Sequence, residues 1–150
     1  MRLGDVCQVI PGRHIIETAH NRLAQGVPYI TGPSDFGDIQ ATPTRWTETP
    51  DVMCAPADTL VTVKGAGVGK INLAPSEPAC IGRQLMAMRA IPHHADPSFI
   101  FLALNAFKKL ITEKATGATV PGVVIDDLVA LPLLLPPLEE QQRIAAGLRE

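Results

Sequence analysis

The glycine-rich run Lys64-Gly-Ala-Gly-Val-Gly-Lys70 is the first place where residue types and spacing suggest chemistry. Glycine lets a backbone approach phosphate closely, and lysine adds charge, so such a run has the parts of a nucleotide cradle. The spacing argues against that use. A phosphate loop needs glycine at 64 and Ser or Thr at 71, where this chain has Lys64 and Ile71. A dinucleotide-binding G-x-G-x-x-G needs glycine at 70, which is Lys70. A hairpin turn whose glycines supply positive φ accounts for the run. A nucleotide-binding enzyme built on Gly65 to Lys70 stays open as the distant alternative.

Other reactive residues do not form a constellation. His14, His20, His93 and His94 have no H-x-x-x-H spacing and no neighbouring cysteine pair, so no metal pattern emerges. Cys7, Cys54 and Cys80 are odd in number and far apart, which fits reduced, partly buried thiols better than a disulfide framework or a zinc ribbon. Asp126-Asp127 lacks the further acid and lysine of a metal-dependent nuclease, and reads instead as a helix cap before Leu128. No Ser-His-Asp or Cys-His order and no methyltransferase N/D-P-P-Y/F motif is identifiable. Any chemistry falls to partner chains, so the chain is expected not to be an enzyme.

The elements that must position these residues belong to one domain. At 150 residues, with 46% hydrophobic and 19% charged side chains, the chain can bury a real core. Its apolar runs are too short to span a bilayer and its first residues lack a signal-peptide core, so a cytoplasmic protein is expected. A net charge of −2 counts against nucleic-acid binding unless the thirteen basic residues gather on one face.

Residues 3 to 10 read as a short helix or strand stopped at Pro11-Gly12, and Gly26 to Ile30 as the start of a strand. Thr31 to Thr49 is a long polar stretch holding the one tryptophan, Trp46, read as a core anchor. Asp58 to Lys64 alternates and is β-branched; with Ile71 to Ala74 it predicts a hairpin. Cys80 to Arg89 predicts a further strand with a polar interruption at Gly82-Arg83-Gln84. Asp96 suits an N-cap and Pro97 the first helical position. Ile100, Ala103, Leu104, Phe107, Leu110 and Ile111 then follow helical spacing, predicting one amphipathic helix over about 96–116 with Gly117 as its stop. Lys108, Lys109 and Lys114 fall toward its C-terminal end, where the helix dipole favours cations. After a Gly/Pro-rich loop (Gly117 to Gly122) and an apolar element ending at Leu135, Pro136-Pro137 breaks the chain. A C-terminal helix begins near 137, with Glu139 and Glu140 in its first turn. Ile144 and Leu148 share a face of it. The fold class is α+β: a mixed, partly antiparallel sheet with these two helices.

Two segments in this order carry a family resemblance. Gly117-Ala-Thr-Val-Pro-Gly-Val-Val-Ile-Asp-Asp-Leu128, followed by Leu135-Pro-Pro-Leu-Glu-Glu-Gln-Gln-Arg-Ile144, resembles the close of a target recognition domain and the opening of the spacer helix in specificity subunits of type I restriction-modification systems. Leu3-Gly-Asp-Val6 with Gly12 and Arg13 is similar to the start of such domains, and Val27-Pro-Tyr-Ile30 to a strand before a polar loop. Ala57-Asp-Thr-Leu60, running on to Gly69-Lys70, is similar to a family segment that has glycine where Ala57 stands.

The resemblance implies a half-length or truncated specificity subunit, with a recognition domain at 1–136 and the first turns of a spacer helix at 137–150. It implies double-stranded DNA as ligand, with Arg13, Ser34, Arg45, Lys64, Lys70, Arg83 and Gln84 as contacts. Arg can read guanine and Gln adenine by paired hydrogen bonds, and Asp35 or Asp38 could accept from cytosine. Lysines suit phosphates, and His14 and His20 could add polar contacts. Leu138, Gln141, Ile144 and Leu148 would meet a methyltransferase subunit, a restriction subunit or a second copy of the chain. S-adenosylmethionine, ATP and Mg would sit on those partners. The recognition domain of a single-chain restriction-methyltransferase is the nearer alternative.

Overall fold

The computed structural model describes residues 1–116 and 122–149, apart from the side chains of Thr116, Leu148 and Arg149. The fold is α+β in three layers. The middle layer is a four-stranded antiparallel sheet built from β1 (Cys7–Pro11), β8 (Leu85–Ala90), β5 (Thr59–Thr62) and β6 (Ile71–Leu73), in that order. A second sheet on one side holds β3 (Arg45–Thr47), β2 (Val27–Ile30), β7 (Ala79–Ile81) and β4 (Met53–Cys54). It is mixed, because β2 and β7 run parallel while the other pairs are antiparallel. Helices α1 (Pro97–Ala106), α2 (Lys108–Thr116), α3 (Ile125–Val129) and α4 (Leu138–Arg149) cover the other side.

Strand periodicity explains the layering. Successive side chains on a strand face opposite ways. On β8, Met86 and Met88 join the helical core while Leu85 and Ala87 join the core between the sheets. On β5, Val61 joins the helical core and Leu60 the inter-sheet one. The middle sheet is therefore buried on both faces, and β5 is buried along its whole length. The residues before β1 are tied to a later part of the chain. Leu3 N–H donates to the Leu131 carbonyl at 2.8 Å and Leu133 N–H to the Met1 carbonyl at 2.8 Å, which fastens the apolar segment before Pro136 to the first residues.

Two expectations need correction. Cys80 to Arg89 is not one interrupted strand: Gly82-Arg83-Gln84 is a turn, and β7 and β8 lie in different sheets. The helix over 96–116 is two helices, broken at Phe107, whose backbone sits at φ −90°, ψ 0°. Ile100, Phe101 and Leu104 on α1 and Ile111 and Ala115 on α2 nevertheless reach the same core. The start of α1 is as expected, with the Asp96 carboxylate accepting from Phe99 N–H at 3.1 Å and Pro97 following it. Within Thr31 to Thr49 lie a 3₁₀ turn (Pro33–Asp35) and β3, and Trp46 is half-buried on β3. Gly117, expected as the helix stop, and most of the Gly/Pro-rich loop lie outside the described residues.

Candidate nucleic-acid interface

The turn between the two sheets is where the loops of the molecule meet. Gly82 N–H donates to the Ile30 carbonyl at 2.9 Å, and Arg13 N–H donates to the Ile81 carbonyl at 3.1 Å. Gly12 packs so closely that an added Cβ would lie 2.1 Å from the Gly82 carbonyl oxygen, so only glycine fits there. Val63 N–H donates to the Gln84 carbonyl at 2.8 Å. An added Cβ at Gly67, in the β5–β6 turn, would lie 2.6 Å from Pro33 Cγ. The loops carrying Arg13, Ser34, Arg83-Gln84 and the glycine run are thus stitched into one rim.

Arg45 joins the same rim. It pairs with Tyr29 at the end of β3, beside Thr44, whose hydroxyl donates to Asp35 at 2.9 Å. Arg13, Ser34, Arg83 and Lys70 are exposed, and Arg45 and Gln84 are half-buried. Lys70 lines a polar cleft with Pro33, Phe36, Asp38, Asn72 and Lys108. Spacing alone hid Lys108, which the sequence placed only as a cation near a helix end. It stands at the start of α2, just past Phe107, and lines this cleft. Lys64 stands apart, in a groove with Met86, Val123 and Asp126.

Several candidates have structural partners instead. Asp35 is 6% exposed, and its carboxylate accepts from Thr31 N–H at 3.0 Å, the Thr31 hydroxyl at 3.1 Å and the Thr44 hydroxyl. It braces its loop and has no oxygen turned to a cytosine; Asp38 is exposed. Asn72 braces the next residues, accepting from Gly37 N–H and donating to the Gly37 carbonyl, both at 3.1 Å. His20 packs on the Tyr29 ring, centroids 5.4 Å apart, while His14 is exposed. Burial pushes the Tyr29 phenol above its ordinary pKa; the Ile15 N–H and the nearby Arg83 guanidinium pull it back. The pair lies inside α3 with Val124 at the N-cap, so the capping read for it falls to Asp127 alone, which accepts from Val124 N–H at 3.0 Å. Among the described residues no group of three or more His, Cys, Asp or Glu could hold a metal ion.

The glycine run is a hairpin turn, with Gly65 at φ +86° and Gly69 at φ +94°. It leads into β6, whereas a phosphate loop leads into a helix whose N-terminal amides bind the anion. The parts of a nucleotide cradle are therefore not assembled here.

On α4, Gln141 and Ala145 face inward. Gln141 is 1% exposed: it accepts from Asp96 N–H at 2.8 Å and donates to the Pro136 carbonyl at 2.9 Å. It ties α4 to the start of α1 and is not on the surface a partner would meet. Leu138 is half-buried beside Pro92 and His93, and Ile144 is 48% exposed. The Leu148 side chain lies outside the described residues.

The fold and this rim define an α+β domain that offers cations and an amide from loops joined at one end. The chain belongs to the family of type I restriction modification DNA specificity domains, whose family model matches residues 1–150. It is 33% identical over 142 residues to a putative type I restriction enzyme MjaX specificity subunit of Methanocaldococcus jannaschii, covering 95% of this chain and 33% of that protein. It also resembles the crystal structure of the HsdS subunit from Thermoanaerobacter tengcongensis, with a TM-score of 0.85 and 33% identity over 99% of this chain and 35% of that one. A chain from a study of complex assembly and conformational transition of the type I R-M system gives a TM-score of 0.87 at 34% identity, over 99% of this chain and 36% of that one. The S subunit from M. genitalium, at 20% identity and a TM-score of 0.76, shares the fold. The chain spans about a third of the length of these relatives.

Proposed function

We propose that this chain reads one half of a split target on duplex DNA and brings a modification subunit and a restriction subunit to it. The observation that carries the reading is the convergence of four loops, with their basic and amide side chains, on one rim of a chain belonging to the specificity-domain family. Arg13, Arg45, Lys70, Arg83 and Lys108 supply cations that suit phosphates and guanine, and Ser34 and Gln84 supply smaller polar groups. Lys64 contacts the backbone from the neighbouring groove. Residues 1–136 form the reader, and 137–150 begin the spacer helix.

The chain itself does no covalent chemistry. S-adenosylmethionine, ATP and Mg belong to the partner subunits. Leu138 and Ile144 meet those partners or a second copy of the chain. The assembly works in the cytoplasm.

Co-expression with the adjacent modification subunit tests this. The two are expected to co-purify, and sequencing of methylated DNA is expected to show one defined motif that vanishes without this chain. Methylation at the same sites in its absence, or failure to associate, sinks the reading.

A further inference from the structure

Gln84 lies on the rim between two of its loops, and its surroundings are unusual for a surface amide. Its carbonyl is pinned by Val63 N–H at 2.8 Å. Its side chain lies between two glycines: an added Cβ at Gly32 would come within 2.1 Å of Oε1, and one at Gly65 within 3.0 Å of Nε2. Either substitution would narrow the slot that holds the carboxamide. Among the described residues that carboxamide makes no hydrogen bond, although the residue is half-buried. The amide's donors and acceptor are open to solvent and not taken up by the protein, so a ligand that offers both partners together can pair with it.

We infer that Gln84 is the residue that reads one base of the target, and that this base is adenine. The inference rests on the reading of the chain as a DNA reader and sharpens it. Adenine presents N7 as acceptor and the N6 amino group as donor on its major-groove edge, the complement of a carboxamide, whichever way round the amide sits. The neighbouring Arg83 is exposed and less constrained, which suits a phosphate. Gln84 is held by packing before DNA arrives, and a side chain fixed in advance loses less entropy on binding.

The test is selection of the whole chain against a random duplex pool, followed by sequencing, for the native protein and three variants. The native chain is expected to select adenine at one position by roughly five- to a hundredfold, the range of a bidentate contact. Gln84→Ala flattens that position and leaves the rest of the motif. Gln84→Glu moves it toward cytosine, whose amino group a carboxylate can accept. Gly32→Ala leaves Gln84 in place but displaces its amide, and flattens the same position. Gly32 has φ 175°, an extended conformation open to alanine. Should Gly32→Ala fail to fold, Gln84→Ala still decides, since it removes no hydrogen bond among the described residues. A Gln84→Ala motif identical to the native one overturns this inference alone. A native chain that selects no motif overturns the parent reading with it.

Discussion

Ala57 illustrates how one residue can be legible only by comparison with what its backbone needs. Ala55 to Asp58 form a turn closed by Asp58 N–H to the Ala55 carbonyl at 3.1 Å, with Pro56 second and Ala57 third at φ +75°. That is the geometry of a type II turn, whose third position wants glycine. A left-handed alanine costs about 1–2 kcal/mol, and glycine's extra unfolded-state freedom offsets about 0.5–1 of it. Ala57→Gly is therefore expected to raise stability by about 0.5–1 kcal/mol in urea unfolding; a lower midpoint would refute the turn assignment. The turn matters because Asp58, 2% exposed, also accepts two hydrogen bonds from Arg89 at 3.0 and 2.8 Å, locking β5 to β8 behind the rim. The cysteines behave as their spacing suggested: all three are free and buried. Burial pushes the Cys7 thiol up to about 12 and, with help from Asp58, the Cys54 thiol up to about 11. A raised folded-state pKa means the protonated thiol is favoured by folding. This stabilisation is whole below the ordinary value of 9.0 and fades as pH climbs toward 11 and 12. The urea midpoint is expected to hold up to about pH 8.5 and to fall above it. A thiol reagent at about pH 8 should label none of the three until the chain unfolds; rapid labelling of the native protein would contradict the burial.

At the scale of elements, what could be read in advance was whatever is decided locally. Asp96-Pro97 announces α1 because a cap and a fixed φ act within one turn, and Thr59 to Thr62 announces a strand because β-branched residues crowd a pleat. The division of β7 from β8 could not be read, because nothing in Cys80 to Arg89 says that the two ends pair with different partners. Long-range pairing separates them, as of Tyr29 with Cys80 and of Met88 with Val9. The break at Phe107 was hidden for the same reason, since both helical halves keep an apolar face. Gln141 is the clearest case: a polar residue in a polar helix reads as surface, yet it fills a buried slot between α1 and α4. Gln141→Leu keeps the volume but removes the acceptor from Asp96 N–H and the donor from the Pro136 carbonyl. Its expected cost is about 2–3 kcal/mol, since the groups it served stay buried. The same variant is expected to expose α4 to limited proteolysis before the sheets are cut. Unchanged stability would mean that α4 is held by Ala145 and Leu138 alone.

Over the whole molecule, the net charge of −2 said little, because binding depends on where charge gathers. The family motifs exposed the class of fold from the sequence, while the rim needed topology. Gly12 against Gly82 and Gly67 against Pro33 are contacts between residues 70 and 34 positions apart, by subtraction of their numbers, and they bring separate loops together. Asp35 could not be excluded as a reader until its three donors were visible, nor Lys108 included until the cleft it shares with Lys70 was visible. Electrostatics gives the check at this scale. Each phosphate neutralised by a lysine releases counterions, so log affinity for duplex DNA falls against log salt with a slope near −0.9 per contact. Lys70→Ala and Lys108→Ala are each expected to make the slope shallower by about 0.9 and to weaken all duplexes alike, because phosphate contacts carry no sequence information. Lys109→Ala serves as the comparison: Lys109 adjoins Lys108 in sequence but is not part of the cleft with Lys70, and should leave the slope unchanged. Equal losses for Lys109→Ala and Lys108→Ala would mean that the chain attracts DNA through diffuse charge, and the cleft beside Phe36 would lose its place in the interface.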